Sequence, residues 1–80
     1  MTLKTETLVT WLVRFGVDQS HCIESTGNLH RRKRNAMAEF ARVELGWPWK
    51  YKEVVRLEFP RTPMAVASSV SVVRRERWQP

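Results

Sequence analysis

The sequence predicts a small α+β domain in which two to three helices are followed by a β-hairpin. Apolar residues recur at helical spacing near the start of the chain, and a turn-forming stretch at residues 25–28 precedes a second helical pattern. After Pro48, apolar and polar residues alternate as in a half-buried strand. A mostly α architecture is the alternative, because the C-terminal stretch is also compatible with a helix.

The first predicted helix runs from about Thr5 to Phe15, and Gly16 follows it as a stop. A short helix is predicted from Asp18 to Glu24, with Asp18 as its cap. The residues of the first helix that share one face at i, i+3, i+4 and i+7 are Leu8, Trp11, Leu12 and Phe15.

The main predicted helix runs from Leu29 to Leu45. Asn28 is a suitable N-cap, because its side-chain oxygen can accept hydrogen bonds from the first free amides. Gly46 ends this helix, and Pro48 prevents it from resuming. Its predicted inward residues are Leu29, Ala36, Phe40 and Val43.

Two strands are expected after this helix. Alternation predicts a strand at about 54–59, and the prolines of 60–63 force a turn. The stretch 66–78 is favoured as a second strand because valine and serine are weak helix formers, although Thr62 and Pro63 could also begin a helix. This order of elements resembles a winged helix-turn-helix domain, in which a recognition helix enters the DNA major groove. The resemblance lies in element order and involves no specific motif.

Composition indicates one basic domain over residues 1–80, with 74–80 either part of it or a flexible basic tail. The 14 Lys and Arg residues against 8 acids give a net charge of +6 and favour an anionic partner. The single cysteine cannot form an internal disulfide, so a cytoplasmic location is expected. The apolar run at 64–73 is too short for a membrane span, and no membrane association is predicted.

The run from Arg31 to Arg34 places four cations at the predicted start of the main helix. A helix N-terminus carries partial positive charge, so each such cation costs about 0.3 to 1 kcal/mol unless an anion is nearby. The next acid is Glu39. We therefore expect phosphate groups to bind here, and Asn35 to read an adenine edge. The predicted nucleic-acid contacts are Arg31, Arg32, Lys33, Arg34, Asn35, Arg42, Arg74, Arg75 and Arg77.

Other residue patterns support less specific predictions. Trp49 and Tyr51 lie beside lysines and could stack on unpaired bases or anchor an interface. His21, Cys22 and His30 lack the paired spacing of a zinc site, so no metal or other cofactor is expected. The same residues form no nucleophile and base pair, and the chain is not expected to be an enzyme.

These patterns favour a small DNA-binding regulator or accessory factor, of the kind that phages and mobile elements encode. Duplex DNA is the expected partner in preference to RNA, and a homodimer would extend the limited footprint of one module. One alternative is an arginine-rich helix that binds structured RNA. A second alternative is an inhibitor or adaptor that docks on a larger host protein, with exposed tryptophans as anchors.

Overall fold

The computed structural model describes residues 7–24, 29–60 and 67–79. Within these residues, four antiparallel strands form one sheet in the order β2-β1-β3-β4, and a single helix packs on one face. This architecture contradicts both the prediction of two to three helices before a hairpin and the mostly α alternative. The elements are β1 (Thr7–Asp18), β2 (His21–Glu24), α1 (Lys33–Arg42), β3 (Tyr51–Pro60) and β4 (Ser69–Arg77).

The first predicted helix is wrong, because those residues form the long central strand β1. The adjacent residues Leu12 and Val13 are 6% and 0% exposed, so the strand is covered on both faces. A strand covered on both faces carries a nearly continuous apolar run, which satisfies helical spacing by coincidence. Thr10, Trp11 and Val13 are residue types that favour strands, which agrees with the observed strand β1.

The predicted short helix from Asp18 to Glu24 is also wrong. The Asp18 carboxylate accepts hydrogen bonds from the backbone N–H groups of Ser20 at 2.8 Å and His21 at 2.9 Å. This side-chain turn reverses the chain into β2. Gly16 lies close to β2, where an added Cβ would come within 1.9 Å of the His21 carbonyl oxygen, so a larger residue would displace the strand.

The main helix is shorter than the predicted Leu29–Leu45. Leu29 is 49% exposed, and His30 exchanges two backbone hydrogen bonds of 2.8 Å with Trp11 of β1. The helix begins at Lys33 after the extended N-cap residue Arg32. The predicted cap, Asn28, lies outside the described residues.

One face of α1 packs on the centre of the sheet. Ala36 and Phe40 are buried against Val13 of β1 and Val54 of β3, which confirms Phe40 as an inward residue. The buried Lys52 of β3 donates hydrogen bonds to the carbonyl oxygens of Phe40 at 2.7 Å and Val43 at 2.9 Å. The Phe40 carbonyl belongs to the last turn, where it also accepts a longer hydrogen bond of 3.3 Å from the backbone N–H of Val43, the C-cap residue. Lys52 therefore fixes the end of α1 to the sheet.

The two predicted C-terminal strands are confirmed as β3 and β4. They do not form a separate wing, because β3 pairs along its whole length with β1. The register of β3 and β4 shifts between Val54 and Val55, and residues 74–77 belong to β4 rather than to a tail. The predicted turn after Pro60 lies outside the described residues. Among the described elements, no helix is both long and apolar enough to cross a membrane.

Replacement of Lys52 by Met should destabilise the fold, because Met keeps the apolar stem but removes the charged donor from the carbonyl oxygens of Phe40 and Val43. We expect a loss of about 1.5 to 3 kcal/mol in the free energy of unfolding, typical of hydrogen bonds to a charged group. Urea denaturation of Lys52→Met measures this loss. Lys50→Met is the matched control, and an equal effect of both substitutions would contradict the assigned role of Lys52.

Candidate nucleic-acid interface

The basic cluster of residues 31–34 lies at the start of α1, as the sequence predicted. All four side chains are exposed, and Arg32 is itself the N-cap residue. No side chain caps this end, and the first turn contains no acidic residue. The positive end of the helix dipole thus coincides with four cations. This arrangement is unfavourable alone and is relieved by an anion such as phosphate.

The outward face of α1 continues from this cluster. Arg34, Asn35 and Arg42 are exposed, as are the two alanines Ala38 and Ala41. At 100° per residue these five side chains fall on one side of the helix. The alanines leave little bulk between the polar groups, so a nucleic-acid backbone or groove wall could approach the helix closely.

The three arginines of β4 lie on two different faces of the sheet. Arg74 is opposite Val54 in the register, and its guanidinium carbon lies 5.7 Å from the centre of the Phe40 ring on the helix side. Arg75 is opposite Glu53, which places it on the other face. Arg77 shares that second face, 5.8 Å from the Tyr51 ring. A single flat ligand on the helix side could therefore contact Arg74 but not all three.

The two aromatic residues proposed for base stacking differ in accessibility. Tyr51 is 1% exposed and offers no free ring face. Trp49 is 43% exposed and packs edge-on against Phe15, with 5.4 Å between ring centres. Trp47 is 76% exposed, and the ammonium of Lys50 lies 4.2 Å from its ring centre. Trp47 and Trp49 are thus the accessible aromatic rings in this segment.

A polar cluster occupies the face of the sheet away from α1. Glu53 is 2% exposed, and its Oε1 lies 3.8 Å from the Sγ of Cys22. Burial raises the pKa of the Cys22 thiol, and the nearby charge of Glu53 raises it further. The Tyr51 hydroxyl and the Arg14 Nε are buried without a hydrogen-bond partner in the described part of the chain. A thiol that keeps its proton is a poor nucleophile.

The potential metal ligands are each held by other contacts. The Nδ1 of His21 lies 2.8 Å from the Asp18 carboxylate, and this hydrogen bond is the main reason that the pKa of Asp18 is lowered. The Nε2 of His30 lies 3.2 Å from the Glu39 carboxylate. Among residues 7–24, 29–60 and 67–79, no three His, Cys, Asp or Glu side chains are arranged to hold a metal ion.

Comparisons with protein-family models, with curated proteins and with solved structures found no match to this chain.

Tyr51 should titrate above the ordinary tyrosine range. Burial, followed by the charge of Glu53, raises its pKa from the usual 10.0. The unfolded chain releases this proton near the ordinary pKa, so the folded state loses stability as the pH rises from there through the raised folded-state pKa. Tyr51 is the only tyrosine, and its phenolate absorbance follows this one group. Tyr51→Phe should reduce the loss of stability at alkaline pH. A Tyr51 pKa at or below 10.0 in the folded protein would contradict the effect of burial.

Proposed function

We propose that this chain is a small nucleic-acid-binding protein that contacts phosphate groups with the N-terminus and outward face of α1. One observation carries the proposal: four exposed cations lie at an uncapped helix start that contains no acid in its first turn. The net charge of +6 would add attraction to a polyanion over longer distances. The proposed process is regulation or an accessory step on intracellular DNA.

The outward side chains of α1 have distinct roles in this proposal. Arg31 and Arg34 contact phosphates at the helix start, and Arg42 contacts a phosphate near the last turn. The exposed Asn35 faces the same side and can pair with an adenine edge in the major groove. Arg74 adds a further phosphate contact on the helix side of β4. No wing is required, because the outward face of α1 is itself accessible.

The primary test is fluorescence anisotropy with labelled duplex DNA, single-stranded DNA and an RNA hairpin at about 50 and 200 mM salt, a range in which several phosphate contacts change affinity strongly. Duplex binding that weakens steeply with salt supports the proposal. Absence of binding to all three nucleic acids at the lower salt concentration overturns it.

Arg31→Ala combined with Arg34→Ala should weaken duplex binding and reduce the salt slope by about 2, since each phosphate contact contributes about 0.9 to the slope. The melting temperature should stay the same or rise slightly, because two cations leave the positive end of the helix.

The matched control compares two single substitutions that remove the same charge. Arg34 lies on the outward face of α1, whereas Arg75 lies on the face of the sheet away from α1. Each is replaced by Ala. Only Arg34→Ala should weaken duplex binding strongly. Equal losses for both variants would show that overall charge, rather than the surface of α1, determines binding.

A further inference from the structure

Aromatic residues are concentrated where β3 begins and β4 ends. Trp47 and Trp49 precede β3, and the backbone N–H of Trp78 after β4 donates to the Lys50 carbonyl at 2.8 Å. Three of the four tryptophans thus lie near one end of the sheet, together with Lys50 and Arg77. We refer to Trp47, Trp49, Lys50, Arg77 and Trp78 as the aromatic end.

Trp47 is the most accessible ring of the aromatic end. It is 76% exposed, and the Lys50 ammonium lies 4.2 Å from the ring centre. This cation–π contact orients an indole ring that most of the chain leaves uncovered. An exposed ring beside a cation can stack on a base while the cation contacts the adjoining phosphate.

A cavity of about 320 Å³ lies at the same end of the sheet, bounded by residues 17–20 and by the start of β3 and the end of β4. Lys50, Tyr51, Arg77 and Trp78 line its opposite side. Its volume is at the lower end of small-ligand sites, which are about 300 to 1,000 Å³, and suits one nucleotide better than an extended chain. Lys50 lines the cavity, and its ammonium lies over the Trp47 ring, so this one residue connects the two features.

The charges of the aromatic end favour a polyanion over an apolar protein partner. Lys50 and Arg77 are its cations, and the acid in the cavity lining is Asp18. The Oδ1 of Asp18 already accepts hydrogen bonds from the N–H groups of Ser20 and His21. A phosphate group near Lys50 and Arg77 would therefore meet two available cations.

We propose that the aromatic end binds unpaired nucleotides, with one base in the cavity and a neighbouring base stacked on Trp47. This inference rests on the proposed function and specifies its ligand as nucleic acid that carries unpaired bases beside a duplex. Lys52 fixes the C-terminus of α1 to β3 near this end. The basic cluster lies at the other end of α1, a ten-residue helix that is about 15 Å long.

The test measures the affinity of the full chain for a labelled blunt duplex and for the same duplex with a single-stranded overhang. The overhang should strengthen binding by at least about 5-fold, and by up to about 150-fold for each base that stacks. Trp47→Ala should reduce this gain at least about 5-fold, the loss of one stacked base, and leave the affinity for the blunt duplex unchanged. Trp47→Phe should retain part of the gain because it keeps a ring, and Arg77→Gln should reduce it.

Val70→Ala is the control. Val70 is an apolar residue of β4 that is 58% exposed, and it lies opposite Leu57, away from the aromatic end. Thermal melting checks that each variant is folded. An overhang gain that is absent in the wild type, or unchanged in Trp47→Ala, overturns the inference while the proposed function stands. If Trp47→Ala lowers the affinity for the blunt duplex and for the overhang duplex equally, the inference is also overturned. Failure to bind either duplex overturns the proposed function itself.

Discussion

The position of α1 on the sheet depends on the ammonium group of Lys52. This buried cation donates to two carbonyl oxygens at the helix end and lies 4.3 Å from the centre of the Phe40 ring. The same side chain therefore supplies hydrogen bonds to the end of the helix and packs against the core residue Phe40. The outward face of α1 and the connection to β3 are both oriented by this attachment, so the two proposed binding surfaces share one structural support.

The two ends of α1 differ in their electrostatics. At the C-terminus, Lys52 and Arg42 place positive charge beside the negative end of the helix dipole, which is favourable. At the N-terminus, four cations oppose the dipole and no side-chain cap offsets them. The helix is thus stabilised from its C-terminal end and by Phe40, and its N-terminal cations remain available for an anion. Local sequences that contradict local stability often occur at functional sites.

The features that could be predicted from the sequence are those that depend on residues close together in the chain. The alternation at 54–59 and the inward position of Phe40 depend on side chains close in sequence, and both were predictable. β1 was missed because burial on both faces removes the alternation that identifies a strand. Asp18 has the residue type of a helix cap, but its carboxylate closes the turn between β1 and β2 instead. The contrast between buried Tyr51 and exposed Trp47 depends on which strands lie alongside, and residue spacing carries no such information.

The charges and register shift of β4 also affect how copies of the chain meet. β4 is an edge strand of the sheet, and an unpaired edge can recruit another strand. An incoming strand would have to pair beside the arginines at 74, 75 and 77, and the irregular register disturbs a continuous ladder. This edge therefore resists the addition of a strand from another copy of the chain.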